Sequence, residues 1–589
     1  MKKLPIFTLP LAAGFLTLVW LWPGGPEGIR AALGPDDGDP DVSPCIENAT
    51  IQVSANPNRV NLGESTVVSW SVGLPSGCAN VRVTLNGSAV ARSGSRTFTP
   101  PRNTAFSIVV SQTRQGVYQE TRRSASVEVV YPPRVVIDPR TQSPVAVLLG
   151  ALASGNARQT VELCDVELDM TGITNVLIGD RRELIGSPGC ARGPRSLGPR
   201  IFVRDERGRA PLFVIGGDSV RISGFRLEGP TDFIAQGDRK EKGIVVSPFP
   251  SAAPLHSVEI SNMEIFHWSG VGIQVVDNVE QAQRGRLFNT NPAAVRISGS
   301  FFHHNRHGSG EGYGVESAAG AYATFEQNVF DENRHAIAGG SKNDNGLDFS
   351  GYTARDNLIF PGGGKHCSDH WAWALTGWRF NCWQTHQIDM HGDQNEWYSS
   401  HNWLCGTAGE TIIIERNTIL YTSGHAIKIR GNPADKAVVD GNVFKNDSRS
   451  DAIAQTGECG FGDNITNPID VRPNNVFGVD PTTELGSCDF FGDGQQDQFM
   501  ATGVTWWARS PVTGEWRYLN TMRERLPQLL LARIDNDAIC DVAIRPPRPG
   551  MIPRLYSKSG TGPWTPVLVV TQGSPTPAER RSPRTPTRG

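Results

Sequence analysis

No two of the ten cysteines are spaced CxxC, which argues against a zinc cluster built of thiolates. Charge of one sign is missing as well. Lys and Arg number 56 against 59 Asp and Glu, for a net charge of −3, so nothing indicates a basic surface for nucleic acid. Histidine is absent from most of the chain, since all 12 lie between His256 and His425. What is abundant is Gly (64) and Pro (41), which suits a turn-rich, all-β chain.

Met1-Lys2-Lys3 followed by an apolar run from Leu4 to Trp22 reads as a basic n-region and an h-region. The run is long for a signal peptide and short for a membrane span. Residues 1–32 are therefore expected to be a signal peptide or a retained signal anchor, the one route to a membrane. Residues 33–49, rich in Gly, Pro and Asp, form a linker. The even cysteine count agrees with export, and the residues fall in local couples: Cys45 and Cys78, Cys164 and Cys190, Cys367 and Cys382, Cys405 and Cys459, Cys488 and Cys540. Spacing alone does not determine connectivity, but disulfides in an oxidising compartment are expected.

Residues 50–131 alternate as short strands, with Thr66 to Val72 and Phe106 to Val110 the clearest and Asn86-Gly87 a hairpin turn. Trp70 would fill the core of a sandwich. The string GSRTFTPPRNTAFSIVV (94–110) resembles the small immunoglobulin-like modules of bacterial surface proteins, which implies a spacer or binder without chemistry.

After Pro132-Pro133 a short unit recurs: VEISNMEIF (258–266), VRISGSFF (295–302), TFEQNVF (324–330), TARDNLIF (353–360), IIERNTIL (413–420) and VVDGNVF (438–444). Helical signatures of the TPR or ankyrin kind are absent, so a period of this length predicts a solenoid of stacked β coils over 132–480. Asn328, Asn357, Asn417 and Asn442 hold one position in their repeats and should stack as an internal amide ladder. The span resembles the right-handed parallel β-helix proteins of the pectate-lyase-like group. That resemblance speaks to fold and not to one activity, since the architecture hosts lyases, hydrolases, epimerases and adhesins.

Residues 481–570 carry CDFFGDGQQDQF (488–499) and ARIDNDAICDV (532–542), which resemble FG-GAP or VCBS repeats. The resemblance implies calcium on Asp489, Asp493 and Asp497, and again on Asp535, Asp537 and Asp541. Phe491 and Arg533 stand where that pattern has acids, so plain turn acids are the competing reading. The 571–589 tail, rich in Pro, Ser and Arg, should be disordered. The fold class is thus all-β: a right-handed parallel β-helix flanked by a small β-sandwich and an FG-GAP-like β module.

Candidate chemistry concentrates in HHNRHGSGEGYGV (303–315), NRHAIAGG (333–340), HQIDMHGD (386–393) and HAIKIRG (425–431). His, Asn and Gly also make good turn residues, so His335 and His425 have a purely structural reading. If the coils stack in register, His304, His335, His391 and His425 form one polar stripe beside Arg334, Asp389, Lys428 and Arg430. Such a stripe can hold a sugar chain and move protons. Tyr313 and the tryptophans of the 371–403 segment, Trp371, Trp373 and Trp397 among them, would stack on sugar rings. GYGV, NRHAIAGG and DMHG together resemble a group of bacterial β-helix proteins, which implicates Arg334, His335, Asp389 and His391. HAIKIRGN (425–432) is similar to the NGxExIRIG run of alginate and chondroitin lyases without its Glu, which implies an acid role for Arg430. The paired acidic strings of polygalacturonases are missing.

The expectation is a secreted, periplasmic or surface-attached bacterial protein whose partner is a polysaccharide or other glycan. It would act as a lyase, with His335 or His391 as base and Arg334, Lys428 or calcium neutralising a uronate. Alternatives are a non-catalytic carbohydrate-binding or adhesion protein, a glycoside hydrolase, and a metal-dependent enzyme holding a transition metal on His335, Asp389 and His391.

Overall fold

The structure is a computed structural model. It describes residues 44–566 apart from 79, 115–116, 188–189, 191–196, 236–238, 248–254, 256, 277–293, 309, 341–349, 368–381, 393–406, 458–464, 536 and 547–552. The apolar run of 4–22 lies outside the described residues, among which no helix is long and apolar enough to cross a membrane. Two compact units are present. Among the described residues, the smaller gathers those up to Gln52, Trp70–Gly94 and Ser107–Arg123; the larger gathers Val53–Ser69, Ser95–Phe106 and those from Ser124 on.

In the smaller unit Arg82 to Leu85 pair antiparallel with Ser111 to Ile108. Trp70 is buried and its indole N–H donates to the Ala91 carbonyl at 2.9 Å. Cys45 and Cys78 form a disulfide.

The larger unit is dominated by three long parallel sheets of eleven, nine and nine strands, one strand per coil in each. The chain winds as a right-handed parallel β-helix, the hand that parallel crossovers favour. Alternation along each strand sends every second residue inward, and the register stacks like on like. Ile222, Ile260, Ile297, Phe325, Ala354, Ile414 and Val439 form one inward column in the first sheet, all fully buried. Ile201, Leu227, Ile265, Phe302, Phe330, Ile359, Ile419 and Phe444 form another in the second. Phe213, Ile244, Ile273, Val315, Ile337, Ile388 and Ile427 do so in the third.

The corner between the first and second sheets is a tight turn. Gln327, Asp356 and Arg416 take left-handed φ there (59°, 56° and 54°), and the next residue each time is an asparagine. Asn328 N–H donates to Asn357 Oδ1 at 3.0 Å. Asn357 donates to Asn417 Oδ1 from N (3.1 Å) and Nδ2 (2.8 Å), and Asn417 to Asn442 Oδ1 from N (2.9 Å) and Nδ2 (3.0 Å). Asn475, which does not stand out in the repeats, continues the ladder by accepting from Asn442.

Beyond the coils, two copies of one element each build a four-stranded antiparallel sheet, spanning Leu485 to Asn520 and Leu529 to Pro566. They share a core of Phe490, Phe499, Trp506, Leu519, Leu529 and Val542, and Cys488 bonds to Cys540. Trp507 and Met500 pack on Val329, Leu358 and Leu420 of the coils. Cys164 bonds to Cys190, whereas the proposed couples 367–382 and 405–459 fall on side chains outside the described residues.

Candidate functional site

The site is built on the outer face of the third sheet, where three consecutive coils contribute Tyr313–Ala318, His335–Gly340 and Ile388–His391 and a fourth contributes Ile427–Arg430. Ile388 and Met390 are fully buried in the core. By alternation Asp389 and His391 project the other way, as do Lys428 and Arg430, which pair with them in register.

At the entry of each strand one ring follows another. Tyr313 pairs with His335 in register. His386 and His425 hold the same place, two residues before the paired Ile388 and Ile427. The Tyr313 and His335 rings lie 5.4 Å apart, and those of His335 and His386 stack at 4.4 Å with 18° between planes. His335 Nδ1 donates to the His386 carbonyl at 2.5 Å, and His425 Nδ1 repeats the contact with the Asp451 carbonyl at 3.1 Å. A carbonyl accepts only, so this bond places the His335 proton on Nδ1 and the lone pair on Nε2. Burial, aided by Arg334 and His386, holds His335 well below the usual imidazole range, hence neutral at pH 7.

Asp389 is the hub. It is fully buried. Arg430 grips it with two bonds, Nη2 to Oδ2 at 2.8 Å and Nε to Oδ1 at 3.2 Å. His386 Nε2 stands 3.1 Å from Oδ1, while His335 Nε2 (4.0 Å) and His391 Nε2 (3.8 Å) both approach Oδ2. Burial alone would raise this carboxyl, but Arg430 and the imidazoles of His386 and His391 outweigh it and hold it well below the carboxylate range. The Tyr352 hydroxyl anchors the backbone from inside by donating to the Asp389 carbonyl at 2.8 Å. The side chains of His391 and Arg430 keep 14% and 16% of their surface exposed, so they form the rim of the hub.

Arg334 flanks this rim. Its guanidinium lies over the Tyr313 ring at 5.7 Å, donates to the Gly310 carbonyl, and reaches His366 Nδ1 at 3.0 Å. Burial, then the neighbouring Arg334, push His366 down to about 4. His366 in turn stacks on Trp383 at 4.4 Å across the hairpin of Lys365–Cys367 and Cys382–Gln384. Trp383 is 47% exposed, an aromatic surface beside the rim. Trp371, Trp373 and Trp397 lie outside the described residues.

The expected stripe of four histidines does not form. His335 and His391 meet at Asp389, and His425 sits one coil further, turned to Asp451. His304 is elsewhere. It occupies a left-handed turn (φ 56°) after a strand of the second sheet, with its Nδ1 2.9 Å from that of His303, which contacts Glu264 at 3.0 Å. The loop from 304 to 312 hands the third-sheet position to Tyr313 instead. His386 belongs to the hub and was not singled out, although the repeated His-x-Ile at 335, 386 and 425 marks it.

Glu316 was also not singled out. It stands two coils from Asp389 in the same outward row, across Ala338 and next to Gly340, which pairs with His391. A Cβ on Gly340 would lie 4.0 Å from Glu316 Oε1. Gln274 donates to Glu316 Oε2 at 2.6 Å, and Lys242 steadies Gln274 at 2.8 Å. Burial first, and the charge of Glu311 second, push Glu316 up to about 7. An unfolded chain would have it near about 4.3. Between those values the folded state binds the extra proton, so stability falls as pH rises from about 4 to about 7 and stays lower above. Glu316→Gln should flatten that part of the Tm–pH profile, with its advantage over wild type growing across the window; parallel profiles would contradict the assignment.

In the C-terminal module the six acids serve their own turns. Asp489 accepts from Gly492 (2.6 Å) and Gly494 (3.0 Å), and Asp497 from Phe490 (2.7 Å) and Phe491 (3.1 Å). Asp493 accepts from Gln495 at 2.9 Å. In the second copy Asp541 accepts from Ile534 (2.9 Å) and Asp535 (3.3 Å), Asp535 from Asp537 (3.0 Å), and Asp537 from Ile539 (2.9 Å). Arg533 places its guanidinium 3.3 Å from Asp489. Among the described residues, the one group of three or more His, Cys, Asp or Glu whose ligand atoms lie within 4.8 Å of one another is His335, His386 and Asp389.

No family model matches the chain, and no curated protein does. Among solved structures it is similar to full-length tailspike protein 2 of the Escherichia coli O157:H7 bacteriophage CAB120, at 11% identity and a TM-score of 0.31. The match covers 70% of this chain and 48% of the tailspike, so the chain spans about half the length of that protein.

Proposed function

We propose that the outer face of the third sheet cleaves an acidic polysaccharide by β-elimination. The carrying observation is the hub itself: a buried, ionised Asp389 gripped by Arg430, with His391 at the solvent-reaching edge. His391 is the base, because His335 is fully buried and cannot meet a polymer. Asp389 orients His391 and stabilises the imidazolium formed when it takes the proton. That proton leaves the carbon α to a uronate carboxylate, the adjacent C–O bond breaks, and a carbon–carbon double bond remains. Arg430 and Lys428 supply the positive charge that the uronate carboxylate needs as the carbanion develops. Glu316, protonated in part at pH 7, gives its proton to the leaving oxygen. Trp383 offers a stacking surface to a neighbouring sugar.

A panel of uronate polysaccharides followed by ultraviolet absorbance of the unsaturated product tests this. His391→Ala should lower the rate by about 10²–10⁴-fold with its Tm close to wild type. No absorbance on any uronate rejects the lyase reading.

One observation favours a glycoside hydrolase instead. Glu316 is raised, as the acid of a glycosidase must be, and the base that activates water would be His391 at the solvent-reaching edge, because Asp389 is fully buried. New reducing ends without ultraviolet absorbance would select this reading, and retained binding with intact glycan would select a binding protein.

A further inference from the structure

We infer that His335 Nε2, His386 Nε2 and the Asp389 carboxylate form a binding site for one divalent transition-metal ion of the zinc class. Both nitrogens are buried; His335 Nε2 makes no hydrogen bond, and His386 Nε2 faces the Asp389 carboxylate. A buried imidazole nitrogen without a partner is costly, and with a second imidazole aimed at the same carboxylate it calls for a common partner. His386 Nε2 approaches Asp389 Oδ1 to 3.1 Å, and His335 Nε2 stands 4.0 Å from Oδ2. These are separations of ligands from each other. Four ligands about 2.0–2.1 Å from a tetrahedral zinc stand about 3.3 Å apart.

The outer contacts fit as well. A metal-bound imidazole characteristically donates its other N–H to a carbonyl or carboxylate, and His335 Nδ1 does so to the His386 carbonyl at 2.5 Å. A carboxylate offers about four lone-pair sites. Arg430 takes two of them, which leaves two for an ion and fixes the carboxylate's orientation. Two imidazoles and one carboxylate suit zinc, and also manganese, iron or nickel, better than calcium or magnesium. His391, with Nε2 3.8 Å from Oδ2, stands near enough to join as a further ligand or to act on a molecule bound at the ion.

The test needs no glycan, so it succeeds or fails independently of the cleavage reading. Full-length untagged protein is stripped with a chelator, dialysed, and titrated with Zn²⁺ by calorimetry, with bound metal counted by mass spectrometry. One ion per chain is expected. His386→Ala and Asp389→Asn should weaken binding by about 100-fold or more, beyond what losing an outer partner costs, while His303→Ala, in the other histidine group, keeps one ion. A wild type that takes up no ion, or variants that bind as tightly as wild type, overturn the inference. Should the variants misfold, Co²⁺ loaded into wild type decides. Intense visible bands of a four- or five-coordinate ion support the site, and the pale spectrum of six-coordinate Co²⁺ rejects it.

Discussion

Asp389→Ala is expected to destabilise the protein by about 3–5 kcal/mol, as removal of one partner from a buried ion pair does, and to abolish glycan cleavage. The carboxylate is fully buried and is the shared partner of Arg430, His386, His335 and His391. Without it the Arg430 guanidinium, only 16% exposed, keeps its charge and loses two bonds. Asp389→Asn keeps shape and part of the bonding, so it should cost less stability while still lowering activity. The apolar pair Asp389→Leu with Arg430→Met should recover much of the stability and none of the activity, because it removes both charges together. Denaturant titrations of the four proteins measure this. If Asp389→Ala melts like wild type, the hub is not a coupled cluster. The folded carboxyl lies well below its unfolded value, so its stabilising contribution is complete above about pH 4 and fades in stronger acid. The gap between wild type and Asp389→Ala should narrow accordingly.

Much of this architecture is legible in the amino-acid order, and the reason is repetition. A coil places one residue of each repeat above its counterpart, so Asn328, Asn357, Asn417 and Asn442 announce a ladder before any coordinates exist. Apolar alternation within each repeat similarly foretells the inward columns. The site is less legible because the loops between strands vary in length. Eight residues separate His304 from Tyr313, and they decide which side chain reaches the third sheet. Adjacency in a string therefore misleads. His303 and His304 head a conspicuous histidine cluster, yet they belong to the second-sheet corner beside Glu264. Register against known core positions does better. Counting back two from Ile337, Ile388 and Ile427 yields His335, His386 and His425, of which the first two stack. Counting outward from Val315 reaches Glu316, in the same row as Asp389. What no string reveals is burial: His335 and His391 look alike in sequence, and only one of them reaches solvent.

Asn417→Leu should cost about 3–5 kcal/mol, several times the roughly 1 kcal/mol that one hydrogen bond contributes net. The side chain is fully buried in the middle of the ladder. Its Oδ1 accepts from Asn357 N (3.1 Å) and Nδ2 (2.8 Å), and its Nδ2 donates to the Ala354 carbonyl (2.9 Å) and Asn442 Oδ1 (3.0 Å). Leucine keeps the branched shape with the same number of heavy atoms and is the larger of the two, so no cavity is left and lost packing is not the issue. Two donors of Asn357 would be left without partners in a dry interior, at about 1–3 kcal/mol each, and the Ala354 carbonyl would lose one of its donors, with relaxation sharing the cost among them. The same substitution at Asn475 should cost less. Asn475 ends the ladder and is 9% exposed, so it lies at the edge that water reaches first. Chemical denaturation of both variants, with hydrogen exchange at the Asn357 amide, reads the difference. Exchange there should accelerate in Asn417→Leu and stay slow in Asn475→Leu. Equal losses at the two positions would mean that the ladder acts as separate bonds in equivalent surroundings and that its buried middle carries no extra load.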